Sequence, residues 1–446
     1  MGVKTFLGGI HPFEGKELSK DKPITDLQPA GLMVFPLSQH IGAPASPVVK
    51  VGDQVKRGQV IAQAGGFVSA PIHSSVSGKV KKIEPRRVAA GGIVNSIVIE
   101  NDGQYDAVEF EACSDYTALS KDEIKKKISD AGVVGMGGAG FPTHVKLAPA
   151  KPENIDYVIA NCAECEPYLT SDYRVMLEMP EQLIGGLKIA LQLFSENTKG
   201  ILAVENNKPD CIKLLQELTK DEPRIIVQPL KTKYPQGGER SIIYACTGRK
   251  INSSMLPADA GCIVDNVETL CCIYRAVVFG QPVISRVVTI TGDAVTDPRN
   301  FRVPTGTNFT EILEAAGGFK KDADGNPVQP QKVIFGGPMM GFSNFTTDVP
   351  VGKTNSALLC MTKDEAAQYE PTACISCGRC VDGCPSRLVP SKLADFAERG
   401  QIEEFEKWGG VECVECGCCS YVCPAKRHLT HAIKAMRKDA LARRRK

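Results

Sequence analysis

The spacing of apolar residues changes along the chain and divides it into segments of different predicted structure. Over residues 48–84, short β-branched pieces alternate with glycine turns, which is typical of a small all-β unit. Over residues 155–229, short apolar runs alternate with stretches of helical spacing, so a parallel sheet covered by helices is expected. The predicted strands are 155–160, 200–205 and 224–229, and the predicted helices are 183–194 and 211–218.

A second combination of elements is predicted nearer the C-terminus. Strands at 287–291 and 332–335 flank a helix over 309–316, which two glycines terminate. This order predicts a β–helix–β unit. Residues 428–446 have a helical composition and a strongly basic end.

At 446 residues the chain is too long for one hydrophobic core, so several domains are expected. The predicted fold class is multidomain, with α/β and α+β parts. The predicted divisions are an N-terminal segment 1–117 that contains the all-β unit at about 45–100, an α/β domain 118–282, the β–helix–β unit 283–350, a cysteine-rich domain 351–432 and a basic tail 433–446.

Eight cysteines near the C-terminus form two copies of the run C-x-x-C-x-x-C-x-x-x-C-P. This is the pattern of a two-cluster bacterial ferredoxin, in which three close thiolates bind one 4Fe-4S cluster and the fourth binds the other. The expected ligand sets are Cys374, Cys377, Cys380 and Cys423 for one cluster and Cys413, Cys416, Cys419 and Cys384 for the other. Zinc knuckles and disulfides are the alternatives, although structural zinc sites usually have longer gaps and often histidine. Cys418 is expected to be a small buried residue.

A glycine-rich stretch follows a predicted helix. Ser120 and Glu123 form a capping box that begins this helix, which continues to about residue 130. The stretch then contains Gly135, Gly137, Gly138 and Gly140. A dinucleotide fingerprint should follow a strand, so a standard Rossmann site is not expected. Glycines nevertheless let backbone amides approach a phosphate or a flavin ring, so a ligand loop is predicted, with a flexible turn as the alternative.

Polar residues stand where the predicted strand 155–160 ends, in the order Asn161-Cys-Ala-Glu164-Cys-Glu166-Pro. Open α/β sheets bind ligands beyond the carboxyl ends of their strands, so this acidic turn is a candidate site. Two further polar turns, at 237–240 and 265–270, belong to the same domain.

The bulk composition narrows the function classes. The charged fraction of 23%, the hydrophobic fraction of 43% and the net charge of +2 describe an ordinary soluble protein without a general attraction to nucleic acid. No stretch has the length and apolarity of a membrane span or a signal peptide. The cysteine usage fits a reducing compartment, so the cytosol is expected.

The order of these motifs resembles the flavin- and NADH-binding subunit of respiratory complex I over residues 119–281. The resemblance implies a complex I-like α/β domain in which FMN is held by Gly135, Gly137, Gly138, Gly140, Lys146, Asn161, Asp265, Asn266 and Thr269. It further implies an NAD(H) site formed by Phe141, Glu164, Glu166 and Glu239, with Glu164 and Glu166 as the catalytic pair. The chain departs from that family at Ala163, Arg240 and Asp265, where the family has two acids and an asparagine.

Other segments also resemble known domains. The all-β unit resembles the barrel-sandwich hybrid of biotinyl and lipoyl carriers, but the span 64–67 has no lysine to modify, so a structural or docking role is expected. The β–helix–β unit resembles the soluble ligand-binding β-grasp (SLBB) domain, for which a spacer role is expected. With the Gly-Gly-Ile-His-Pro segment at 8–12, the whole order resembles the family of C subunits of Rnf complexes, which are ion-translocating ferredoxin:NAD oxidoreductases.

This family resemblance implies a peripheral subunit on the cytoplasmic face of the cell membrane. Its implied partners are integral membrane and iron–sulfur subunits, NAD(H) and, indirectly, ferredoxin, but no nucleic acid. Hydride transfer moves two electrons and clusters move one, so a flavin between two 4Fe-4S clusters and NAD(H) is required. The alternatives are a soluble cobalamin reductase of the propanediol-utilisation type and a non-catalytic electron-transfer or scaffold subunit with a degenerate flavin site. The basic end, residues 443–446, is expected to be solvated or to contact anionic lipid or an acidic partner.

Overall fold

The computed structural model of the protein describes residues 2–444. Its strands, β1–β17 in chain order, are Thr25–Asp26, Leu32–Pro36, Ser46–Pro47, Gln54–Val55, Val60–Gln63, Ile72–His73, Gly78–Arg87, Ile93–Asn101, Tyr157–Cys162, Lys199–Glu205, Ile225–Leu230, Cys262–Asn266, Ser285–Thr291, Arg299–Pro304, Lys332–Phe335, Phe342–Asn344 and Ala357–Met361. Its α-helices, α1–α13, are Lys121–Asp130, Thr143–Lys146, Ser171–Glu178, Pro180–Gln192, Pro209–Leu218, Glu239–Thr247, Val267–Val278, Phe309–Ala315, Arg379–Asp382, Pro390–Glu398, Ile402–Lys407, Cys418–Tyr421 and Leu429–Arg443.

Two small sheets near the N-terminus enclose one apolar core and form a barrel-sandwich unit. Their strand orders are β2-β8-β7-β4 and β3-β5-β6. In the antiparallel pair β7–β8, Val80 and Ile97 are buried, while Lys79 and Glu100 are exposed, as the period of two requires. The unit begins with β2, before the predicted start at about residue 45. The sequence did not predict β2 as part of the unit, because a turn-rich loop separates it from β3.

The α/β domain contains a four-stranded parallel sheet in the order β11-β10-β9-β12. The three strands and two helices predicted here are present within three residues of their predicted bounds. Strand β12 was not predicted. Helix α4 packs closely on α7, since a Cβ on Gly186 would lie only 1.9 Å from the Leu270 carbonyl oxygen. This close contact fixes α7, which follows β12 directly and borders the candidate site.

The β-grasp sheet has six strands in the order β1-β14-β13-β17-β15-β16. Its helix α8 lies close to the predicted bounds and begins after Asn308, whose side chain accepts from the Thr310 N–H at 2.9 Å. The predicted divisions at residues 117 and 350 do not match this sheet. Strand β1 comes from the N-terminal segment, and β17 lies between β13 and β15, so the sheet extends to Met361.

The cysteine-rich domain is built from the short helices α9–α13 around Leu393, Phe405 and Ile433. The predicted basic tail 433–446 is mostly part of α13, which packs on α10 because its apolar side chains face this core. Residues 445–446 lie outside the described residues. Within residues 2–444, no helix is long and apolar enough to cross a membrane.

Candidate functional site

The glycine loop, residues 135–140, lies against the carboxyl end of β12. The Met136 N–H donates to Thr269 Oγ1 at 2.9 Å, and a Cβ on Gly137 would stand 3.0 Å from the Asn266 Cβ. By contrast, nothing lies within 4 Å of the point where Gly138 would carry a Cβ. The loop is therefore held on one side and open at Gly138, where its backbone can approach a bound group.

Both ends of the loop are fixed by packing. The Gly135 N–H donates to the Phe141 carbonyl at 2.8 Å and closes the loop. Gly140 has a φ of 71°, and a Cβ there would lie 2.8 Å from the Thr354 side chain and 3.0 Å from the Gln39 carbonyl oxygen. Close contact with the barrel-sandwich unit and with the segment before β17 therefore explains the glycine at position 140.

A buried ion pair lies beside the loop. Lys146 Nζ donates to Asp265 Oδ1 at 3.0 Å and to the Val264 carbonyl at 2.7 Å. Burial raises the pKa of Asp265, and the charge of Lys146 opposes this rise. Glu239, the first residue of α6, lies near both charged groups. Burial raises the pKa of Glu239, and the positive charge of Lys146 lowers it.

One oxygen of this ion pair remains available to a ligand. Asp265 Oδ2 is buried and has no hydrogen-bond partner among the described residues. A buried acceptor without a donor is costly, so a bound group that donates a hydrogen bond there is favoured. The open side of Gly138, the cation of Lys146 and this unpaired oxygen together fit FMN, which has a phosphate, hydroxyl donors and a ring N–H.

Two asparagines connect the turns around the site. Asn161 and Asn266 are register partners at the ends of β9 and β12. Asn161 Nδ2 donates to the Gly237 carbonyl at 2.8 Å, and Asn266 Nδ2 donates to Asp172 Oδ2 at 2.6 Å. Asn266 Oδ1 also accepts from the backbone at the start of α7. The predicted FMN residues are thus brought together at one edge of the sheet.

Glu164 is directed into the protein. Its backbone has a φ of 48°, and Oε1 accepts from the Asp172 N–H at 2.7 Å. Its Oε2 lies 3.7 Å from Lys16 Nζ, and only 4% of the side chain is exposed. Burial raises the pKa of Glu164, while Lys16 and Lys208 lower it. These contacts make Glu164 a support for the acidic turn rather than an exposed ligand group.

Glu166 contacts the β-grasp sheet. Its Oε2 accepts from the Met339 N–H at 3.2 Å, and a Cβ on Gly337 would lie 2.1 Å from that oxygen, so only glycine permits this approach. Its Oε1 is buried and finds no hydrogen-bond partner within residues 2–444. Burial raises the pKa of Glu166 to about 7. Both predicted catalytic acids have one buried oxygen without a hydrogen-bond partner. That of Glu164 is paired with Lys16, whereas Glu166 forms no ion pair among the described residues and is the better candidate to contact a substrate.

Two buried lysines hold the acidic turn, and neither was predicted from the sequence. Lys16 Nζ donates to the carbonyl oxygens of Glu166 at 3.0 Å and Leu169 at 2.5 Å. Lys208 Nζ donates to the Ala163 carbonyl at 2.6 Å. Lys208 follows β10 at the same sheet edge, so its position after a strand could have predicted a contact with the acidic turn. Lys16 lies far away in the N-terminal segment, where no sequence pattern indicates its partners.

The departures from the complex I pattern at Ala163 and Arg240 leave no gap. Ala163 is fully buried, and its carbonyl is the acceptor of Lys208. Arg240 Nη1 lies 3.0 Å from Glu412 Oε2, in the cysteine-rich domain. Arg240 therefore forms an ion pair between the α/β domain and the cysteine-rich domain.

The second predicted cysteine set surrounds a small cavity. This inner set is Cys384, Cys413, Cys416 and Cys419, which all line a cavity of about 20 Å³. The fourth cysteine of the first run thus stands beside the first three of the second run, as the ferredoxin pattern requires. Cys418 is fully buried, as expected, and its Sγ lies 3.9 Å from the Tyr234 carbonyl.

The outer set, Cys374, Cys377, Cys380 and Cys423, is more accessible. Cys374 and Cys377 are exposed. The two runs repeat the same backbone: Ser376 and Glu415 both have positive φ, at 54° and 57°, and each donates its N–H to the sulfur of its run's first cysteine at 3.4 Å. Amides directed at sulfur and repeated left-handed residues fit thiolates that bind clusters.

Within the described residues, no three His, Cys, Asp or Glu side chains lie close enough to share one metal ion. The thiolates of a 4Fe-4S cluster each bind a different iron and need not meet at one point. The inner set faces the α/β domain, because Cys416 packs against a buried cluster that contains Tyr234 of that domain.

Four family models match the chain in succession. They are the RnfC barrel sandwich hybrid domain over residues 4–104, the Nuo51 FMN-binding domain over 128–275, the SLBB domain over 287–343 and a 4Fe-4S dicluster domain over 365–426. This order agrees with the order of domains expected from the sequence.

Several known proteins are similar over most of the chain. The C subunit of the Na(+)-translocating ferredoxin:NAD(+) oxidoreductase complex of Acetobacterium woodii is 43% identical, covering 100% of each chain. The C subunit of the proton-translocating ferredoxin:NAD(+) oxidoreductase complex of Clostridium ljungdahlii is 42% identical over 91% of this chain and 87% of that protein. The C subunit of the ion-translocating oxidoreductase complex of Vibrio cholerae is 38% identical over 90% of this chain and 51% of its own length.

Proposed function

Because the chain belongs to the family of C subunits of ion-translocating Rnf oxidoreductase complexes, we propose that it exchanges electrons between NAD(H) and the other subunits of such a complex. Its part of a ferredoxin:NAD oxidoreductase reaction is then the dinucleotide end. Ion translocation belongs to partner subunits.

The observation that best supports this role is that the acidic turn and the inner cysteine set lie close together in space. Cys165 stands between Glu164 and Glu166 in the turn. Cys165 and Cys416 both pack against one buried cluster, which is formed by Ile10, Tyr234 and Cys418. A flavin beside the turn and a cluster on the inner set would be joined by this tightly packed, buried contact.

FMN, when bound, accepts a hydride and releases electrons one at a time. The backbone at Gly135, Gly137 and Gly138 would face it, and Lys146 would balance negative charge. Asp265 would accept a hydrogen bond through its unpaired oxygen. Asn161, Asn266 and Thr269 would position the surrounding turns, and Gly140 would hold the loop in place.

NAD(H) is assigned to the same edge of the sheet. Glu166, with one unpaired buried oxygen, is the residue proposed to contact the substrate. Glu239 borders the site from the start of α6, and Phe141 ends the glycine loop. Glu164 supports the turn from within, through the N–H at the start of α3.

Two 4Fe-4S clusters are assigned to the two cysteine sets. The inner set would exchange electrons with the flavin because it faces the α/β domain. The outer set would exchange them with a partner subunit because Cys374 and Cys377 are exposed. Electrons would pass between dinucleotide, flavin, inner cluster, outer cluster and partner.

The partners in this proposal are the integral membrane and iron–sulfur subunits of the complex, with ferredoxin served indirectly. The protein is proposed to sit peripherally on the cytoplasmic face of the membrane. A scaffold role with a degenerate site has little support, since the side chain of Arg240 binds Glu412 and the carbonyl of Ala163 binds Lys208.

An anaerobic titration of the isolated, reconstituted chain tests this proposal. NADH should bleach a bound flavin near 450 nm. A flavin that binds but stays oxidised would favour the scaffold role. Copurification with membrane subunits would exclude the soluble cobalamin reductase, and a chain that never copurifies with them would contradict the Rnf assignment.

A further inference from the structure

The carboxylate of Glu412 in the cysteine-rich domain bonds to two segments of the α/β domain. Glu412 Oε2 lies 3.0 Å from Arg240 Nη1 and accepts from the Ser253 N–H at 2.8 Å. Its other oxygen accepts from Ser253 Oγ at 2.5 Å. Arg240 Nη1 also donates to the Glu412 carbonyl at 3.3 Å. Glu412 thus binds both α6 and the loop that follows it.

This contact differs in kind from its neighbours. Elsewhere the two domains meet through apolar packing around Tyr234 and through the N-terminal segment, whose Gly9 N–H donates to the Gly383 carbonyl at 3.0 Å. Among the residues that the structure describes, Arg240–Glu412 is the only ion pair between 118–282 and 362–444. Charge-assisted hydrogen bonds are directional, so they define the relative orientation of the two domains more narrowly than apolar packing does.

Each of the two residues is also adjacent in sequence to a proposed site residue. Arg240 follows Glu239, a proposed dinucleotide residue, and Glu412 precedes Cys413, a member of the inner set. The side chains are 26% and 32% exposed, so solvent screens the pair only in part. A displacement of Glu412 would move the inner cysteine set relative to the flavin site.

We propose that Arg240 and Glu412 position the inner cluster for electron exchange with the flavin. Arg240 is then a positioning residue of the electron pathway, and its presence where complex I has an acid reflects that task. The inference rests on the proposed flavin and cluster sites for its electron-transfer part. The contact between the domains can be tested independently of both cofactors.

Hydrogen exchange of the reconstituted protein tests the contact. Arg240→Glu and Glu412→Arg should each speed amide exchange in segments 250–256 and 408–416 roughly tenfold, because they lose charge-assisted hydrogen bonds. Arg240→Lys, which keeps the positive charge beside Glu412 and leaves the two bonds from Ser253 intact, should exchange at close to the wild-type rate. The matched control is Arg249→Glu, which breaks the 2.6 Å pair with Asp156 inside the α/β domain and should leave segment 408–416 unchanged.

Rapid mixing with NADH tests the electron pathway. Both single variants should reduce their clusters more slowly than the wild type while their flavin bleaches at the same rate, and Arg240→Lys should reduce its clusters at close to the wild-type rate. Wild-type exchange and cluster reduction in Arg240→Glu, or exchange and cluster reduction in Arg240→Lys as altered as in Arg240→Glu, would overturn the inference. Iron content identifies any loss of cluster in Glu412→Arg, in which case Arg240→Glu decides. If wild-type flavin fails to bleach, the proposed function fails, whereas hydrogen exchange still decides the contact.

Discussion

Asn161 and Asn266 stand opposite each other at the carboxyl ends of the adjacent parallel strands β9 and β12. The side-chain amide of Asn161 donates to the Gly237 carbonyl, and that of Asn266 donates to the Asp172 carboxylate. Asn266 also caps α7 through its side-chain oxygen. The site is therefore built by side chains that first stabilise its turns. Their loss should weaken ligand binding more than folding.

Replacing Asn266 with Ala removes the α7 cap and the bond to Asp172. The expected cost in stability is about 1 kcal/mol, with a clear loss of FMN from the purified protein. Flavin fluorescence released on denaturation measures the FMN content. The matched control is Asn308→Ala, which removes the α8 cap away from the site and should keep full flavin. Equal flavin content in both variants would remove Asn266 from the site.

Glu166→Gln keeps the size of the side chain and removes its charge. NADH oxidation with an artificial acceptor should fall roughly 10- to 100-fold in kcat/KM, as for loss of a charged hydrogen-bond partner, while flavin content stays intact. Glu311→Gln, at the backbone of Ala30, is a control that should behave as wild type. Unchanged kinetics in Glu166→Gln would exclude a contact with the substrate.

The same variant has a defined effect on stability. Burial raises the pKa of Glu166 from 4.5 to about 7, so in that window the folded protein holds a proton that the unfolded chain releases. Stability from this group therefore falls as pH rises from 4.5 to 7, by up to roughly 3 kcal/mol. The Tm of Glu166→Gln minus that of the wild type should rise between pH 4.5 and 7 and then level off. A constant difference across this range would show that Glu166 is not buried as a neutral acid.

Serine substitutions test the cysteine sets. Cys380→Ser and Cys423→Ser should damage the same cluster, and Cys384→Ser should damage the other, as judged by iron content and EPR spectra. Cys418→Ser is the control, because Cys418 belongs to neither set and should leave both spectra intact. Loss of one cluster by Cys380→Ser and of the other by Cys423→Ser would refute the crossed arrangement.

Contact between the basic end of α13 and anionic lipid is a prediction that deletion can test. Arg443 and Arg444 bind Glu403 and Glu406 at 3.0 Å and 2.9 Å, so part of their charge is already neutralised. Deleting residues 443–446 should lower cosedimentation with anionic vesicles at low salt, by about 1 kcal/mol per basic residue at most, and have no effect at high salt. Equal binding of both proteins at low salt would exclude the contact.

Local patterns predicted most of this fold. The strands of the α/β sheet were found because their apolar runs end at turns, and the helix after Ser120 because its capping box is present as predicted. Strand β17 was missed because its place in the sheet depends on β13, far away in sequence. Burial of Lys16 was missed for the same reason, since only the folded chain brings it to the acidic turn. The juxtaposition of Cys384 with Cys413, Cys416 and Cys419 was predicted from the ferredoxin pattern, and the ligand sets stay a prediction.

In the proposed pathway, electrons pass from NADH through the flavin to the inner cluster and then to the outer one. Anaerobic stopped-flow mixing of the reconstituted chain with NADH, followed by absorbance and freeze-quench EPR, tests it most directly. Flavin bleaching should come before cluster reduction, and the cluster lost in Cys384→Ser should be the first reduced in the wild type. Clusters that NADH reduces equally fast after the flavin has been removed would contradict the account.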